Sequence, residues 1–266
     1  MTEPSPTLTG LNPRQREAVL AVEGPVLILA GAGSGKTRVI THRIAHLVLD
    51  RGVPSESVLA VTFTNKAAAE MRSRAEALLA GRALGSWIST FHSFCVRLLR
   101  REAAAAGLSS RFLIYDEADQ LAAVREAMRA LDLSEKLHPP RRLLSRISAR
   151  KNSGRGEGED EDSAAGVTGR VQALYREILD AAGALDFDDL LLRAVALLEE
   201  QPHVRRAWGL RFRHLLVDEY QDTNRAQYEL VRHLAGEHGN LTVVGDEDQS
   251  LYSWRGADIS NILDFE

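Results

Sequence analysis

A glycine-rich segment near the N-terminus carries the clearest chemical signal. Five apolar residues, Val26 to Ala30, predict a buried strand, and Gly31-Ala32-Gly33-Ser34-Gly35-Lys36-Thr37 follows before a helical pattern. Glycines let backbone N–H groups turn toward phosphate oxygens, and a helix N-terminus adds partial positive charge. Lys36 would reach the β- and γ-phosphates of a nucleotide, and the Thr37 hydroxyl would hold Mg²⁺. The usual pattern opens with glycine where this chain has Ala30, and the alternative interpretation is a glycine-rich turn with an unrelated lysine.

The second signal is the pair Asp218-Glu219, which ends the apolar run "HLLVD". A carboxylate at the C-terminal end of a parallel strand is expected beside a phosphate loop. Asp218 would hold Mg²⁺, directly or through water, and Glu219 would orient and deprotonate the attacking water. An isolated Asp-Glu pair is usually a solvated turn, but together with the loop it predicts a phosphate-hydrolysing site.

A third stretch, "VVGDEDQSLYSWRGAD", again follows an apolar run. Gln249 would touch a γ-phosphate and so belongs with the catalytic candidates Lys36 and Glu219. Tyr252, Trp254 and Arg255 place two aromatic rings and a cation within four residues, a combination that can stack on unpaired bases and hold phosphate. The alternative is ordinary core packing.

The elements around these motifs predict an α/β fold with a parallel sheet covered by helices on both faces. Strand-length apolar runs begin at Val26, Val58, Trp87, His214 and Leu241. Helical patterns cover Lys36–Asp50, Ala67–Leu79 and Phe91–Ala106.

The middle of the chain differs, because no convincing strand occurs between Asp116 and Glu199, where amphipathic helical patterns dominate. An acidic, glycine-rich stretch over residues 153–166 predicts a mobile loop within this block. An all-helical block therefore interrupts the α/β sheet.

Composition restricts the cellular setting more than the chemistry. The chain has 266 residues, a net charge of −4 and one cysteine, Cys95, so it has no internal disulfide. The N-terminus lacks the basic start and apolar core of a signal peptide, and no apolar run approaches the ~20 residues of a membrane span. We therefore expect a cytoplasmic protein.

The ordered motifs resemble those of the UvrD/Rep/PcrA branch of superfamily 1 DNA helicases. "AGAGSGKT" is similar to the Walker A motif, "VDEYQDTN" to motif II and "VGDEDQSLYSWRGADI" to motif III. "LNPRQREAV" resembles the Q motif, "VTFTNKAAAEMRSR" motif Ia, "ISTFHSF" motif Ib, and "LDFDDLL" a further single-strand contact motif.

The resemblance implies an ATP- and Mg²⁺-dependent 3′-to-5′ DNA helicase or translocase of DNA repair or replication, with adenine recognised by Gln15. The implied nucleotide-binding residues are Gln15, Ala32, Gly33, Ser34, Gly35, Lys36, Thr37 and Arg38, and the implied metal ligands are Thr37 and Asp218. Single-stranded DNA, including its junctions with duplex, would contact Phe63, Asn65, His92, Phe187, Tyr252, Trp254 and Arg255.

The resemblance also implies the domain organisation. Residues 1–108 and 186–266 would form a RecA-like ATP-binding domain, interrupted by an inserted helical subdomain over 109–185. The family's second RecA-like motor domain, whose arginines reach the γ-phosphate, has no counterpart in these residues. We expect it to be supplied by a longer protein or by another chain.

Three other functions remain open. The same residues suit a module that binds ATP and single-stranded DNA without turnover of its own. The motor motifs are also similar to those of helicase–nucleases of the RecB/AddA kind. A P-loop kinase would leave "TFTNKAAAEM" and "YSWRGAD" without a role.

Overall fold

The fold is taken from a computed structural model that describes residues 5–31, 33–79, 85, 87–152 and 166–246. Contacts divide the chain into two compact units, of which the first comprises Met1–Phe94 with Leu198–Glu266 and the second Cys95–Leu197. The domain boundaries expected after residues 108 and 185 stay predictions.

Strands and helices are numbered along the chain. The strands among the described residues are β1 (Val26–Leu29), β2 (Val58–Thr62), β3 (Trp87–Thr90), β4 (Leu113–Ile114), β5 (Ala184–Leu185), β6 (His214–Val217) and β7 (Leu241–Gly245). The α-helices are α1 (Pro13–Leu20), α2 (Lys36–Leu49), α3 (Asn65–Leu78), α4 (Phe91–Arg101), α5 (Glu117–Ala130), α6 (Pro140–Asn152), α7 (Val167–Ala182), α8 (Phe187–Glu200), α9 (Pro202–Arg211) and α10 (Arg225–Ala235).

The first unit contains a five-stranded sheet in the order β1-β7-β6-β2-β3. Every neighbouring pair is parallel, so the C-terminal ends of all strands share one edge of the sheet. The α/β class with a parallel sheet is therefore confirmed. Strand β7 lies between β1 and β6, which separates the strand before the phosphate loop from the strand that ends in Asp218-Glu219.

Apolar side chains explain why this sheet accepts helices against it. All five residues of β2 are buried, as expected for a central parallel strand whose two faces are covered. Helix α2 packs Ile40, Ile44 and Leu47 into the core cluster that includes β2 and Met71 of α3. This packing fixes the position of α2, and with it the loop that precedes the helix.

The second unit is mainly helical. Helices α5, α6 and α7 share a core that includes Val124, Leu143 and Tyr175. Strands β4 and β5 pair in parallel, Leu113 with Ala184 and Ile114 with Leu185, so the expectation of no strand between Asp116 and Glu199 was wrong at β5. Two residues are too few for a periodic pattern to reveal.

Two other expectations concern where a helix ends and where a loop lies. Helix α4 ends at Arg101 rather than at Ala106, and the following residues turn tightly up to Gly107, whose φ is +64°. The loop expected over 153–166 lies, apart from Gly166, outside the described residues. Within the described ranges, no helix combines the length and apolar character needed to cross a membrane.

Candidate nucleotide-binding site

The glycine-rich loop joins β1 to α2 in a conformation that glycine adopts at little cost. Gly33 and Gly35 have φ values of +72° and +88°. The turn between them and β1 is closed by a hydrogen bond of 3.3 Å from Ser34 N to Gly31 O. Gly35 caps α2, so Lys36 and Thr37 are its first two residues. Their backbone N–H groups have no acceptor inside the helix and, with the helix dipole, favour a bound anion. Ala32, predicted to bind nucleotide, lies outside the described residues.

Lys36 is buried beneath this loop and faces two carboxylates. Its Nζ lies 2.9 Å from Asp246 Oδ2 and 4.0 Å from Glu219 Oε2. The Lys36 and Asp246 side chains are 9% and 2% exposed, whereas Glu219 is 38% exposed. The predicted phosphate-binding lysine and the predicted general base therefore lie within one small polar cluster.

The Asp218-Glu219 pair follows β6 as predicted, and its members have different environments. Asp218 is 3% exposed, and burial, with the negative charge of Glu219, raises the pKa of its carboxyl to about 6. Glu219 N donates to Asp218 Oδ1 at 3.1 Å. Glu219 itself adopts a left-handed backbone conformation with φ +52° and ψ +45°, which is uncommon for a residue with a side chain and occurs mostly where structure enforces it.

Two residues of this cluster, Asp246 and Gln221, were missed by the sequence analysis. Asp246 follows β7 directly, as Asp218 follows β6, and the strand order places it between the phosphate loop and motif II. Gln221 is 2% exposed; its Nε2 donates to Glu219 Oε2 at 2.8 Å and its Oε1 accepts from Asp246 N at 3.0 Å. An aspartate directly after a strand was an available signal for Asp246, and Gln221 lies within the motif II stretch "VDEYQDTN", although residue type and spacing gave it no role of its own.

Gln15 reaches the phosphate loop from α1. Its Nε2 donates to Ser34 O at 2.9 Å, and its Oε1 accepts from Asn12 N, the N-cap of α1, at 3.0 Å. A Cβ on Gly35 would lie 3.0 Å from Gln15 Nε2, so a larger residue there would have to displace this side chain in addition to adopting a φ of +88°. Arg38 is exposed, and its guanidinium lies against Gly10, where an added Cβ would meet Nη2 at 2.5 Å. Thr37 is half-buried.

Three predicted DNA contacts lie after adjacent strands of the same sheet. Phe63 follows β2 and is half-buried, with its ring 5.5 Å from that of Phe91 in an edge-to-face arrangement. Asn65 is exposed at the start of α3, and the half-buried His92 is the second residue of α4, directly after β3. The predicted γ-phosphate contact Gln249 and the predicted DNA contacts Tyr252, Trp254 and Arg255 lie outside the described residues.

Phe187 belongs to the second unit, where it begins α8 with 46% of its side chain exposed. The preceding Asp186 accepts from Asp189 N at 2.9 Å and from Tyr175 Oη at 2.9 Å. Lys151 Nζ lies 2.7 Å from both Asp186 Oδ2 and Asp189 Oδ1. Burial opposes the ionised form of Asp186, but the Lys151 charge and these hydrogen bonds lower its pKa. A charged, largely buried network therefore fixes the start of α8 and the exposed ring beside it.

A parallel sheet, a glycine-rich loop at a helix start and an acidic pair after a neighbouring strand are together typical of P-loop proteins. The family described as "UvrD/REP helicase N-terminal domain" matches residues 11–266, and the chain belongs to that family. The resemblance inferred from the motifs is therefore confirmed.

Similar proteins carry helicase names. The chain is 49% identical over 264 residues to "ATP-dependent DNA helicase PcrA" of Bacillus subtilis (strain 168). It is 50% identical over 281 residues to "ATP-dependent DNA helicase UvrD1" of Mycobacterium tuberculosis (strain ATCC 25618 / H37Rv). These matches cover 97% and 99% of the chain but only 36% of each relative, so the chain spans about a third of their length.

Proposed function

We propose that this chain is the N-terminal motor part of an ATP-dependent 3′-to-5′ DNA helicase or translocase of the UvrD type. The observation that carries the proposal is the convergence of Lys36, Glu219 and Asp246 beside a glycine loop at a helix N-terminus. The names of the relatives support DNA as the substrate class. Action in DNA repair or replication belongs to the same proposal.

Each residue of the cluster has a distinct role in binding and hydrolysis. The loop N–H groups and the Lys36 ammonium bind the phosphate oxygens and stabilise the charge that develops on them. Glu219 orients a water molecule and accepts its proton; its exposure of 38% leaves room for water beside the carboxylate. Gln15 fixes the loop through Ser34 O and would also recognise the adenine. Gln249 completes the catalytic set as a γ-phosphate contact.

Mg²⁺ would be held by Thr37 and Asp218. Their hydroxyl and carboxylate are the oxygen donors that this ion prefers, and Asp218 carries a buried carboxylate whose raised pKa marks an environment poor in compensating positive charge. The ion, when bound, neutralises phosphate charge and helps to stabilise the transferred group.

Single-stranded DNA and its junctions with duplex are the proposed polymer partner. Phe63, Asn65 and His92 follow neighbouring strands of one sheet edge, and Phe187 offers an exposed ring in the second unit. Tyr252, Trp254 and Arg255 complete the proposed contacts. A second RecA-like motor domain is the proposed protein partner, because arginines acting from across the cleft can contribute about 10³–10⁵ in rate.

The deciding experiment separates binding from turnover. Residues 1–266 should bind Mg-ATP, hydrolyse it very slowly and unwind no duplex, since translocation needs two domains that close and open across ATP. The same residues joined to a second motor domain should hydrolyse ATP faster when single-stranded DNA is added. Glu219→Gln in this complete motor should still bind ATP and lose hydrolysis, because the shape is kept and the base is removed.

A Lys36→Ala preparation controls for contaminating helicase. If wild-type residues 1–266 unwind duplex and the Lys36→Ala preparation does not, the proposal is contradicted unless the chain self-associates. The mass of the chain in solution would reveal self-association. If the complete motor binds ATP and DNA without DNA-stimulated hydrolysis, the chain is instead part of a binding module.

A further inference from the structure

Gln221 occupies a central position in the polar cluster, between the proposed base and the partner of the phosphate-binding lysine. Its amide nitrogen donates to Glu219 Oε2 at 2.8 Å, and its amide oxygen accepts from the backbone N–H of Asp246 at 3.0 Å. With only 2% of the residue exposed, water has little access to replace either bond. Gln221 therefore links the turn after β6 to the end of β7.

An amide matches the chemistry of both neighbours at this position. An ionised carboxylate only accepts hydrogen bonds and a backbone N–H only donates, so the bridging side chain must offer a donor on one side and an acceptor on the other. Glutamate would present an acceptor to both, and methionine would offer neither bond. The orientation of the amide is fixed by the same requirement.

The backbone of Glu219 explains why its side chain needs such support. Its left-handed conformation is sterically unfavourable for a residue with a side chain. The turn over Tyr220–Asp222 encloses it, with Asp222 N donating to Glu219 O at 2.9 Å. The backbone is thus held by the turn, while among the residues that the structure describes the Glu219 carboxylate accepts a side-chain hydrogen bond from Gln221.

We propose that Gln221 is a positioning residue for hydrolysis: it holds the Glu219 carboxylate in its working orientation and ties it to the strand end that carries Asp246, the partner of Lys36. This inference rests on the proposed function, in which Glu219 is the general base. It extends that function by making the geometry of the base depend on the position of the β7 end.

Two substitutions distinguish positioning from simple structural support. Gln221→Met removes both hydrogen bonds. Gln221→Glu keeps an acceptor for Asp246 N–H but replaces the donor to Glu219 with a second negative group. General-base catalysis contributes about 10²–10⁴ in rate, so partial loss of orientation should lower kcat about ten- to a hundredfold in both variants. The KM for ATP should change by less than about threefold, because the phosphate loop is untouched.

The matched controls are Gln227→Met and Gln227→Glu. Gln227 is also a buried glutamine, 5% exposed, and its Oε1 accepts from Asn224 N at 2.9 Å in the cap of α10. These controls should keep wild-type kcat, even where Gln227→Met lowers the melting temperature. All variants are measured in the complete motor with saturating single-stranded DNA, and binding of a fluorescent ATP analogue is measured in parallel.

The outcomes separate this inference from the proposed function. If Glu219→Gln keeps ATP hydrolysis, Glu219 is not the general base, and this result overturns the proposed function. If Glu219→Gln abolishes hydrolysis while Gln221→Glu keeps wild-type kcat, the donor to Glu219 is dispensable and the positioning role is wrong. Should Gln221→Met fail to fold, the kcat of Gln221→Glu decides alone, since that variant retains the bond from Asp246 N.

Discussion

The Lys36 ammonium and the Asp246 carboxylate form a buried ion pair, with Nζ 2.9 Å from Oδ2. The two residues are far apart in the chain and meet because β7 lies beside β1 in the sheet. Lys36 is therefore the counter-charge of a carboxylate that is only 2% exposed, and in the proposed function it would also be a phosphate ligand. Its removal should affect both ligand binding and folding.

Lys36→Ala tests both roles at once. Nucleotide affinity should fall about ten- to a hundredfold, because a charge-assisted contact contributes about 1.5–3 kcal/mol. The free energy of unfolding should also fall, by about 3 kcal/mol, because Asp246 then loses its buried cationic partner. Titration with a fluorescent ATP analogue and urea denaturation measure the two effects. The exposed Lys136→Ala provides the control, and unchanged affinity in Lys36→Ala would exclude the phosphate-loop assignment.

The conformation of the glycine-rich loop before α2 could be predicted because local sequence determines it. Gly33 and Gly35, at positions that need positive φ, followed by Lys36 and Thr37 at a helix start, specify the geometry of the described part of the loop. The pairing of Lys36 with Asp246 could not be predicted in the same way, because it depends on strand order. A run of apolar residues identifies β7 as a strand but does not say that β7 lies between β1 and β6.

Gln221 and β5 illustrate two further limits. Gln221 acts through hydrogen bonds on both sides of a turn, which no periodic pattern records. Strand β5 has two residues, and its partner β4 lies far away in the sequence, so neither alternation nor length could reveal the pair. The longer helices α2 and α3 begin and end within two residues of their predicted bounds because their apolar faces repeat over several turns.

Asp218→Asn should separate metal binding from stability. The amide keeps the acceptor for Glu219 N but removes a negative charge that is buried beside Glu219. The melting temperature should therefore rise, because the variant no longer buries a negative charge beside a second carboxylate. The Mg²⁺-dependent part of ATP-analogue affinity should be lost, while binding in excess chelator stays as in the wild type. A variant that keeps the full magnesium response would exclude Asp218 as a ligand.

Phe187→Ala probes the proposed DNA contact of the second unit. Because the ring is 46% exposed at the start of α8, its loss should leave the melting temperature nearly unchanged. Affinity for single-stranded DNA, measured by fluorescence anisotropy in the complete motor, should weaken by about 1–3 kcal/mol, the contribution of one base–aromatic stack. The loss should be similar for different base sequences and persist at high salt, unlike that of a phosphate contact.

The control for Phe187 is Leu137→Ala, which removes a side chain of the same unit that is 77% exposed. Equal DNA affinity in the Phe187 and Leu137 variants would leave Phe187 as an exposed surface ring without a role in binding.

His214 makes the stability of the first unit depend on pH. Its side chain is buried in β6, and burial, followed by the positive charges of Arg43, His238 and Arg213, lowers its pKa to about 4. The unfolded chain has an ordinary histidine pKa of about 6.5, so between these values the unfolded state binds a proton that the folded state does not. The contribution of His214 to the free energy of unfolding should therefore be fully present above about pH 6.5. It should be lost as the pH falls toward 4, by at most about 3 kcal/mol.

His214→Gln should remove this part of the pH dependence, because a glutamine side chain does not titrate. Urea denaturation of residues 1–266 between pH 7.5 and 4 gives the free energy of unfolding for the wild type and the variant. Carboxylates titrate in the same range, so the informative quantity is the unfolding free energy of the wild type minus that of the variant. This difference should fall by about 2–3 kcal/mol between pH 7.5 and pH 4, because only the wild type loses the His214 contribution. As a control, His203→Gln, at an exposed position, should show the same pH dependence of the unfolding free energy as the wild type. If His214→Gln does so as well, the buried histidine is not the source of the acid sensitivity.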